Sequence, residues 1–478
     1  MNILSSRRDF LMSMTAFSLA GCATDGLDFL SGSPNLKVGL LSDIHITDWD
    51  STAVLRKALA WFDSNKVDAV LIAGDLADHG ILLQLEIVMK AWESVFPNDR
   101  ATDGRKVERV FVYGNHDPEG LNYRDSFMDA AFAVHHLSYE EAAKQRLDVL
   151  GLDTCWKRVF HEDYQSVYRK SVKGYDFIGG HWDKANGSGW GKGPNIRPFF
   201  DVVGREIDPS KPFFFVQHPH PLNTCFGPWA WGHDAGITTE VLSRYPNAVA
   251  FSGHAHYSLT DERAVWRESF TSVGLPSLSY VSLKGGARQN AKAINQAVRA
   301  NVGKPGGNQQ GALMSVFDDR IVIERRDFVR DVRLDEAWCF ATPTKASPFS
   351  ARAAKSGAPA FAPGAAVKVT RKEDPALRRD ERELTVTLPQ ALAGAARPWD
   401  YELTVELRHE DVEMFRHAYR LSSPTAALPK TMDAATPSFD VILPGHDFGP
   451  AGEYRFTLVA LNCYGRRSEP IVSDWMKI

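Results

Sequence analysis

The stretch Leu-Lys-Val-Gly-Leu-Leu-Ser-Asp-Ile-His at residues 36–45 joins an apolar run to two side chains that can bind a metal. Its first six residues predict a buried strand, because apolar residues dominate and polar residues follow at once. Two further runs, at 67–73 and 107–113, also end in polar clusters, and apolar residues at helical spacing fill 52–64 and 82–95. This order of strands and helices predicts parallel strands in a layered α/β domain.

Strand candidates continue beyond this first half of the domain. They are the apolar runs at 175–178, 212–217, 248–252 and 270–273. The pair 313–317 and 321–328 predicts a closing hairpin that turns at Asp318-Asp319. Residues 285–308 hold Gly, Asn, Gln and Lys with little periodicity, which predicts a surface insertion or a mobile loop. The predicted fold class is therefore α/β, with mixed β-sheets flanked by helices.

Five polar clusters directly follow strand candidates. Ligand sites in open α/β sheets lie at the carboxyl ends of strands, so we expect the clusters to converge on one crevice. If the segments are extended, residues i and i+2 point the same way, and each Asp-x-His or His-x-His pair aims at one spot. Mixed imidazole and carboxylate donors suit Mn, Fe, Zn or Ni better than Ca or Mg. The clusters are Asp43-Ile44-His45, Gly74-Asp75, Gly114-Asn115-His116-Asp117, Gln217-His218-Pro219-His220 and Gly253-His254-Ala255-His256.

The order of these clusters resembles the motif set of the calcineurin-like metallophosphoesterase family, which is D-x-H, G-D, G-N-H-D, a His after a strand and G-H-x-H. The resemblance covers about residues 36–330. It implies a hydrolase of phosphate esters with two divalent transition-metal ions, whose bridging hydroxide attacks phosphorus. The implied ligands are Asp43, His45 and His256 for the first metal, Asn115, His218 and His254 for the second, and Asp75 for both. His116 is then the group that stabilises the phosphoryl oxygens or protonates the leaving group, and Asp117 orients it.

Several neighbouring residues allow more than one interpretation. His218 follows its strand directly and is favoured as the ligand, with His220 lining the pocket, and His79 is expected to be a loop residue. Asp78 stands where the purple acid phosphatases have a Tyr that binds ferric iron, so an Fe(III)–tyrosinate centre is not expected. Four Trp residues either rim the crevice, where they could stack a base or a sugar, or simply pack within their loops. They are Trp182, Trp190, Trp229 and Trp231.

The composition narrows the choice of substrate. The 478 residues carry a net charge of -4, without the basic excess typical of nucleic-acid binders, so we expect a small-molecule phosphate ester and no nucleic acid. The substrate is a phosphomonoester or a phosphodiester. Two alternatives stay open: a non-catalytic surface protein that binds through its last domain, and an extracellular nuclease. The cysteines form no CxxC pair and leave a disulfide undecided.

The first 22 residues predict an export signal. Residues 6–11, Ser-Arg-Arg-Asp-Phe-Leu, resemble the twin-arginine motif, and an apolar stretch follows to residue 20. Residues 19–22, Leu-Ala-Gly-Cys, resemble a lipoprotein processing box, in which the Cys receives the lipid. We therefore expect an exported protein, anchored to the membrane through lipid on Cys22, facing the periplasm or the cell exterior. Residues 23–35 would form a tether.

The C-terminal part differs in pattern from the catalytic domain predicted at 36–342. Residues 343–366 are rich in Ala, Pro, Ser and Gly and predict a linker. Beyond it, from 367 to 478, apolar residues alternate with polar ones in short runs, which predicts a β-sandwich. Residues 454–470 resemble the late strands of a fibronectin type III module.

Overall fold

The computed structural model describes most of the chain from residue 32 onward. The predicted signal at 1–22 and the predicted insertion at 285–308, except its last residue, lie outside the described residues. Among those that are described, no helix combines the length and the apolar character needed to cross a membrane. The described ranges are 32–123, 135–182, 195–228, 230–282, 308–371, 383–392, 396–410, 412–429, 437–444 and 452–477.

Three parallel strands form one side of the first sheet, with β3 at its edge. They are β1 (Leu36–Leu41), β2 (Ala69–Ala73) and β3 (Glu108–Val112), and β2 pairs with both of the others. Helices α1 (Ala53–Ser64) and α2 (Leu82–Glu93) connect them. The predicted strand–helix alternation is therefore confirmed. The short helices that can be described between β3 and β4 are α3 (His116–Glu119), α4 (Tyr139–Lys144), α5 (Leu147–Leu150) and α6 (Leu152–Phe160).

The second sheet has the strand order β4-β5-β6-β7-β9-β8. Its strands β5, β6, β7 and β9 run parallel, and an antiparallel strand flanks them at each edge. Helices α7 (Ile196–Val203) and α8 (Ile237–Leu242) lie between its strands in the sequence. The strands are β4 (Val167–Val172), β5 (Tyr175–Gly180), β6 (Phe213–Gln217), β7 (Ala248–Ser252), β8 (Val265–Arg267) and β9 (Thr271–Gly274).

The two sheets pack face to face between two layers of helices. Leu40 and Leu71 of the first sheet share a core with Phe214 and Phe251 of the second. The opposite face of the first sheet packs on α1 and α2, and that of the second packs on α7 and α8. Because both faces of each sheet are buried, the strands read as continuous apolar runs. At Gly39 a Cβ would lie 2.5 Å from the Phe62 ring, so only glycine lets α1 approach this closely.

A hairpin closes the first sheet, as predicted. β10 (Gln310–Val316) pairs antiparallel with β1, and β11 (Arg320–Asp327) pairs with β10. Two strands that the sequence analysis did not identify, β12 (Val332–Arg333) and β13 (Trp338–Ala341), extend the sheet from β11. The thiols of Cys155, Cys225 and Cys463 are free.

The predicted linker is not wholly irregular. It contains helix α9 (Phe349–Lys355), in which Arg352 is buried and donates hydrogen bonds to the Glu262 and Val265 carbonyls. Linker composition alone does not reveal a helix that is held by such long-range contacts. The assignment of residues 343–366 as a linker between two domains stays a prediction.

Two antiparallel sheets follow and share one core, which includes Val386 of the smaller sheet and Leu403 of the larger one. We call residues 367–477 the C-terminal module. Its resemblance to fibronectin type III stays a prediction. The smaller sheet contains β14 (Lys368–Arg371), β15 (Glu383–Pro389) and β18 (Ser438–Pro444), and the larger contains β16 (Asp400–His409), β17 (Val412–Ser422), β19 (Glu453–Leu461), β20 (Ile471–Val472) and β21 (Met476–Lys477).

Candidate metal centre

Loops at the carboxyl ends of five strands bring the predicted ligands together. The loops follow β1, β2 and β3 in the first sheet and β6 and β7 in the second. Their donor atoms form two groups, and Asp75 belongs to both. The first donor group is Asp43, His45, Asp75 and His256, and the second is Asp75, His218 and His254, with Asn115 beside His218.

The first donor group is tightly packed around the His256 imidazole. Its Nε2 lies 3.2 Å from Nε2 of His45 and 3.0 Å from Oδ1 of Asp43. Oδ2 of Asp75 lies 3.5 Å from Nε2 of His45. Four donors from three loops therefore face a common point.

The second donor group surrounds Nε2 of His218. This nitrogen lies 3.0 Å from Oδ1 of Asn115, 3.1 Å from Nδ1 of His254 and 3.2 Å from Oδ2 of Asp75. His220 lies elsewhere: it is fully buried, and its Nδ1 is 2.7 Å from the Ser252 hydroxyl. Of the two histidines after β6, only His218 is brought to the donor groups.

The loops reach this geometry through left-handed backbone, not through extended segments. The φ angles are 49° at Asp43, 44° at His45, 68° at His254 and 56° at His256. The expectation that each i, i+2 pair lies in an extended segment was therefore wrong, although each pair does converge. Such conformations cost roughly 1–2 kcal/mol per residue and persist where the surroundings hold them. Here the Asp43 carboxylate accepts a hydrogen bond from the His254 amide at 3.0 Å.

Glycine at 253 is required by the close approach of the two sheets. A Cβ there would lie 1.8 Å from the Ser42 hydroxyl and 2.2 Å from Oδ2 of Asp43. These distances are far below van der Waals contact, so any side chain would displace Asp43. The sequence signal for this approach is the Gly that precedes the His-x-His pair.

Three ligand imidazoles are oriented through their outer nitrogens. Nδ1 of His218 is 2.7 Å from the Ala73 carbonyl, and Nδ1 of His256 is 3.2 Å from the Tyr280 carbonyl. Nδ1 of His45 is 2.9 Å from Oδ1 of Asp78. Each oxygen accepts the Nδ1 proton, so Nε2 is the nitrogen that faces the donor groups. Metal-binding histidines are commonly held in this way.

The charges of the site favour a cation. Asp43 and Asp75 are fully buried, which raises the pKa of each, but neighbouring histidines outweigh burial and hold both pKa values below the usual range. Burial lowers the pKa of His218, but Asp75 and Asp43 outweigh it and raise that pKa to about 9. Two buried carboxylates thus remain ionised, and protonated histidines or a bound cation must balance their charge.

A divalent transition metal fits these residues. Donor atoms bound at about 2.1 Å to one ion are separated by roughly 3.0–3.4 Å, depending on the coordination angle. Separations of 3.0 Å between Asp43 and His256 and 3.2 Å between His45 and His256 fall in this range. Imidazole, carboxylate and amide donors suit Mn, Fe, Zn or Ni.

His116 lies next to the donor groups and is held by the β2 loop. Its Nδ1 is 2.8 Å from the Asp78 carbonyl and 3.7 Å from Oδ1 of Asp78. Burial lowers the pKa of His116, but the carboxylates of Asp75 and Asp78 outweigh it and raise the pKa. These contacts favour Asp78 as the residue that orients His116. In the sequence, Asp78 indicated only that an iron–tyrosinate centre is not expected, and this second role was missed.

Asp117 instead ties two site loops together. Its carboxylate accepts hydrogen bonds from the amides of Leu76 at 3.0 Å, Ala77 at 2.8 Å and Gly114 at 2.7 Å. Burial and the charge of Asp75 raise the pKa of Asp117 to about 7. We infer that Asp117 fixes the loop of Asp75 against the loop of Asn115.

Aromatic side chains surround the second donor group. Trp182 is buried, with its ring 5.6 Å from the His254 ring and 5.8 Å from the His218 ring. Trp231 is half-exposed and stacks on His254 with 4.5 Å between the ring centroids. Trp190 and Trp229 lie outside the described residues.

Two further histidines are buried outside the two donor groups. His181 lies in an aromatic core, 4.5 Å from the Trp156 ring, and burial lowers its pKa to about 3. His79 is buried beside Gln84, whose Nε2 lies 2.7 Å from its Nδ1. Tyr280, which sequence reasoning missed, packs 4.4 Å from the His256 ring.

The four-layer fold and the buried donor groups fit a metal-dependent hydrolase. Residues 36–258 match the family model described as calcineurin-like phosphoesterase, and the chain therefore contains a domain of this family. The family match and the His/Asp groups together support a metal-dependent phosphoesterase. A search of curated proteins found no significant match to this chain.

Solved structures with significant similarity have low sequence identity. An uncharacterized Streptococcus pneumoniae TIGR4 protein, described as a predicted phosphoesterase, is 12% identical, with 64% of this chain and 97% of that chain covered and a TM-score of 0.26. A novel archaeal phosphodiesterase is 13% identical, covering 63% and 100%, with a TM-score of 0.26. GAP50, described as the anchor in the inner membrane complex of Plasmodium, is 10% identical, covering 65% and 89%, with a TM-score of 0.35.

Proposed function

We propose that this protein hydrolyses small-molecule phosphate esters, either diesters or monoesters, at a centre of two divalent metal ions. The observation that carries the proposal is the position of Asp75. Its carboxylate belongs to both donor groups, and the two groups share no other residue. A single carboxylate between two sets of donors is the arrangement expected for a bridging ligand.

Seven residues of the chain would hold the two metal ions. Asp43, His45 and His256 would hold one ion, Asn115, His218 and His254 the other, and Asp75 both. When bound, the two cations supply an activated water molecule as the nucleophile and neutralise charge on the phosphate oxygens.

The chain itself supplies a proton through His116. The Asp78 carbonyl accepts the Nδ1 proton, so Nε2 is the nitrogen that exchanges a proton with the substrate. Burial lowers the pKa of His116, but Asp75 and Asp78 outweigh it and raise the pKa, which favours the protonated imidazole. It can then stabilise a phosphoryl oxygen or donate to the departing alkoxide.

Turnover of chromogenic esters tests this proposal. We expect the purified protein, loaded with Mn²⁺, to hydrolyse bis-p-nitrophenyl phosphate, p-nitrophenyl phosphate or both. Removal of metal with a chelator should abolish release of p-nitrophenol, and added Mn²⁺ should restore it, because the nucleophile depends on the ions. Absence of turnover with both esters, under conditions where Mn²⁺ binds, would refute the enzymatic function.

We also propose that the protein is exported and held on a membrane by lipid at Cys22. The support is the order of the Arg7-Arg8 pair, the apolar stretch and the Leu-Ala-Gly-Cys sequence at 19–22. In a bacterial host, Cys22→Ser should move the protein from the membrane fraction to a soluble fraction. Arg7→Lys with Arg8→Lys should instead retain it in the cytoplasm. Unchanged membrane association of Cys22→Ser, measured by fractionation and immunoblotting, would exclude a lipid anchor at this residue.

A further inference from the structure

One loop of the C-terminal module lies against the catalytic domain. This bracing loop, residues 423–428, follows β17. Its backbone carbonyls are bonded by catalytic-domain side chains: the Thr260 hydroxyl donates to the Ala426 carbonyl at 2.5 Å, and Nε2 of Gln310 donates to the Ala427 carbonyl at 3.0 Å. Thr260 and Gln310 are both buried. The contact is therefore a specific one between buried polar groups.

Gln310 connects the bracing loop to the segment that follows His256. The side-chain nitrogen of Gln310 donates its hydrogen bond to the bracing loop. Oε1 of the same side chain accepts hydrogen bonds from the Ser258 hydroxyl and the Leu259 amide, each at 3.0 Å. Ser258 is two residues beyond the metal ligand. A single fully buried side chain thus joins the C-terminal module to the loop that carries His256.

A second connection passes through residues 280–282. The Tyr280 carbonyl lies 3.2 Å from Nδ1 of His256, and the Ser282 amide donates to the His256 carbonyl at 2.7 Å. Val281, between them, is fully buried against Ala427 of the bracing loop. The C-terminal module therefore covers Val281. The residues on either side of Val281 form hydrogen bonds to the side chain and to the backbone of His256.

The bracing loop is itself firmly held. Arg397 donates to the carbonyls of Thr425 and Leu428, at the two ends of the contact. The same guanidinium pairs with Asp335 of the catalytic domain at 2.8 Å, and both side chains of this pair are buried. A loop fixed in this way can transmit its position to the residues that it touches.

We propose that the C-terminal module is a positioning element for the metal centre: its bracing loop, acting through Gln310, Thr260 and Val281, holds His256 in the first donor group. This inference rests on the proposed function, since it assumes that the first donor group binds a metal. Gln310 and Thr260 are positioning residues, because they act through His256. The module then contributes to metal affinity and turnover without contacting the ion.

The test compares three variants of the full-length protein. Gln310→Met removes both connections of this side chain, and Thr260→Val removes one bond to the bracing loop at nearly constant shape. Ser356→Ala is the matched control: it removes one bond to the module, from Nδ2 of Asn462 at 3.0 Å, away from the bracing loop. Mn²⁺ affinity is measured by titration calorimetry on metal-free protein, with kcat and KM on bis-p-nitrophenyl phosphate and the melting temperature alongside.

We expect Gln310→Met to weaken Mn²⁺ binding and lower kcat by about tenfold, as is typical when support of a ligand is removed, with a smaller change in KM. Thr260→Val should show the same pattern more weakly, and Ser356→Ala should match the wild type. If Gln310→Met does not fold, Thr260→Val decides the outcome. A lower melting temperature with unchanged Mn²⁺ affinity and kcat would overturn the proposal, because the contact would then be merely structural. Failure of the wild type to bind Mn²⁺ would refute both this proposal and the proposed function, whereas Mn²⁺ binding without turnover would refute only the latter.

Discussion

Asp75→Asn is expected to strip the purified protein of most of its bound metal and to lower kcat by roughly 10³-fold, since metal ions supply several kcal/mol of transition-state stabilisation. Oδ2 of Asp75 lies 3.2 Å from Nε2 of His218 and 3.5 Å from Nε2 of His45, one in each donor group. Asn removes the negative charge and places an NH₂ group, which cannot bind a cation, where an oxygen stood. Metal content by elemental analysis and kcat on the chromogenic esters measure the effect.

The substitution is conservative in shape, so its effect is expected to be chemical. The remaining amide oxygen can still accept the hydrogen bond from the His116 amide, which is 2.8 Å long in the wild type. Asp68→Asn is the matched control: this buried carboxylate precedes β2, whereas Asp75 follows it, and it bonds the Lys37 amide and the Lys173 side chain. Full metal content and activity in Asp75→Asn would contradict the bridging role.

The fold of the catalytic domain could largely be predicted from the sequence because its strands are buried on both faces. Runs such as 36–41 and 248–252 are short, apolar and followed by polar residues, and the structure has strands with these same bounds. The convergence of the donor groups could be predicted because their residues directly follow strands. The carboxyl ends of parallel strands lie at one edge of a sheet.

Contacts between distant residues could not be predicted in the same way. Helix α9 lies in a segment of linker composition and is held by Arg352, whose partners are about ninety residues away in the sequence. Asp78 and Tyr280 support His116, His45 and His256, but neither belongs to a recognisable motif with them. Local periodicity carries no information about such pairs, because they form only when the loops pack.

The backbone conformation of the site loops was the other feature that could not be predicted from the sequence. Asp43 and His254 were expected in extended backbone, yet both are left-handed, a conformation uncommon for residues other than glycine. Their conformation is imposed by tertiary hydrogen bonds, such as that from the Asp43 amide to the Gly74 carbonyl at 3.0 Å. The side chains still converge, because these hydrogen bonds hold the two loops against each other.

His116→Asn is expected to lower kcat by about 10²–10⁴-fold, the usual contribution of general acid–base catalysis, while the metal content stays at the wild-type level. Asn can keep a hydrogen bond to the Asp78 carbonyl through its amide, but it cannot deliver a proton. If His116 protonates the leaving group, the loss should be larger for a phosphodiester with an alcohol leaving group than for one with p-nitrophenol. Comparing kcat for these two substrates therefore separates proton donation from stabilisation of a phosphoryl oxygen.

The metal content of His116→Asn shows whether His116 acts as a proton donor or as a metal ligand. His116 also lies with His45 and Asp78 in a group that could hold an ion. Were His116 a ligand, His116→Asn would lose metal and activity together, and the assignment as a proton donor would be wrong. The matched control is His161→Asn, at an exposed position whose left-handed backbone, with φ of 56°, tolerates Asn. Because His161 follows α6 and belongs to neither donor group, kcat and metal content should both be unchanged there, whereas an equal loss in the two variants would refute a catalytic role for His116.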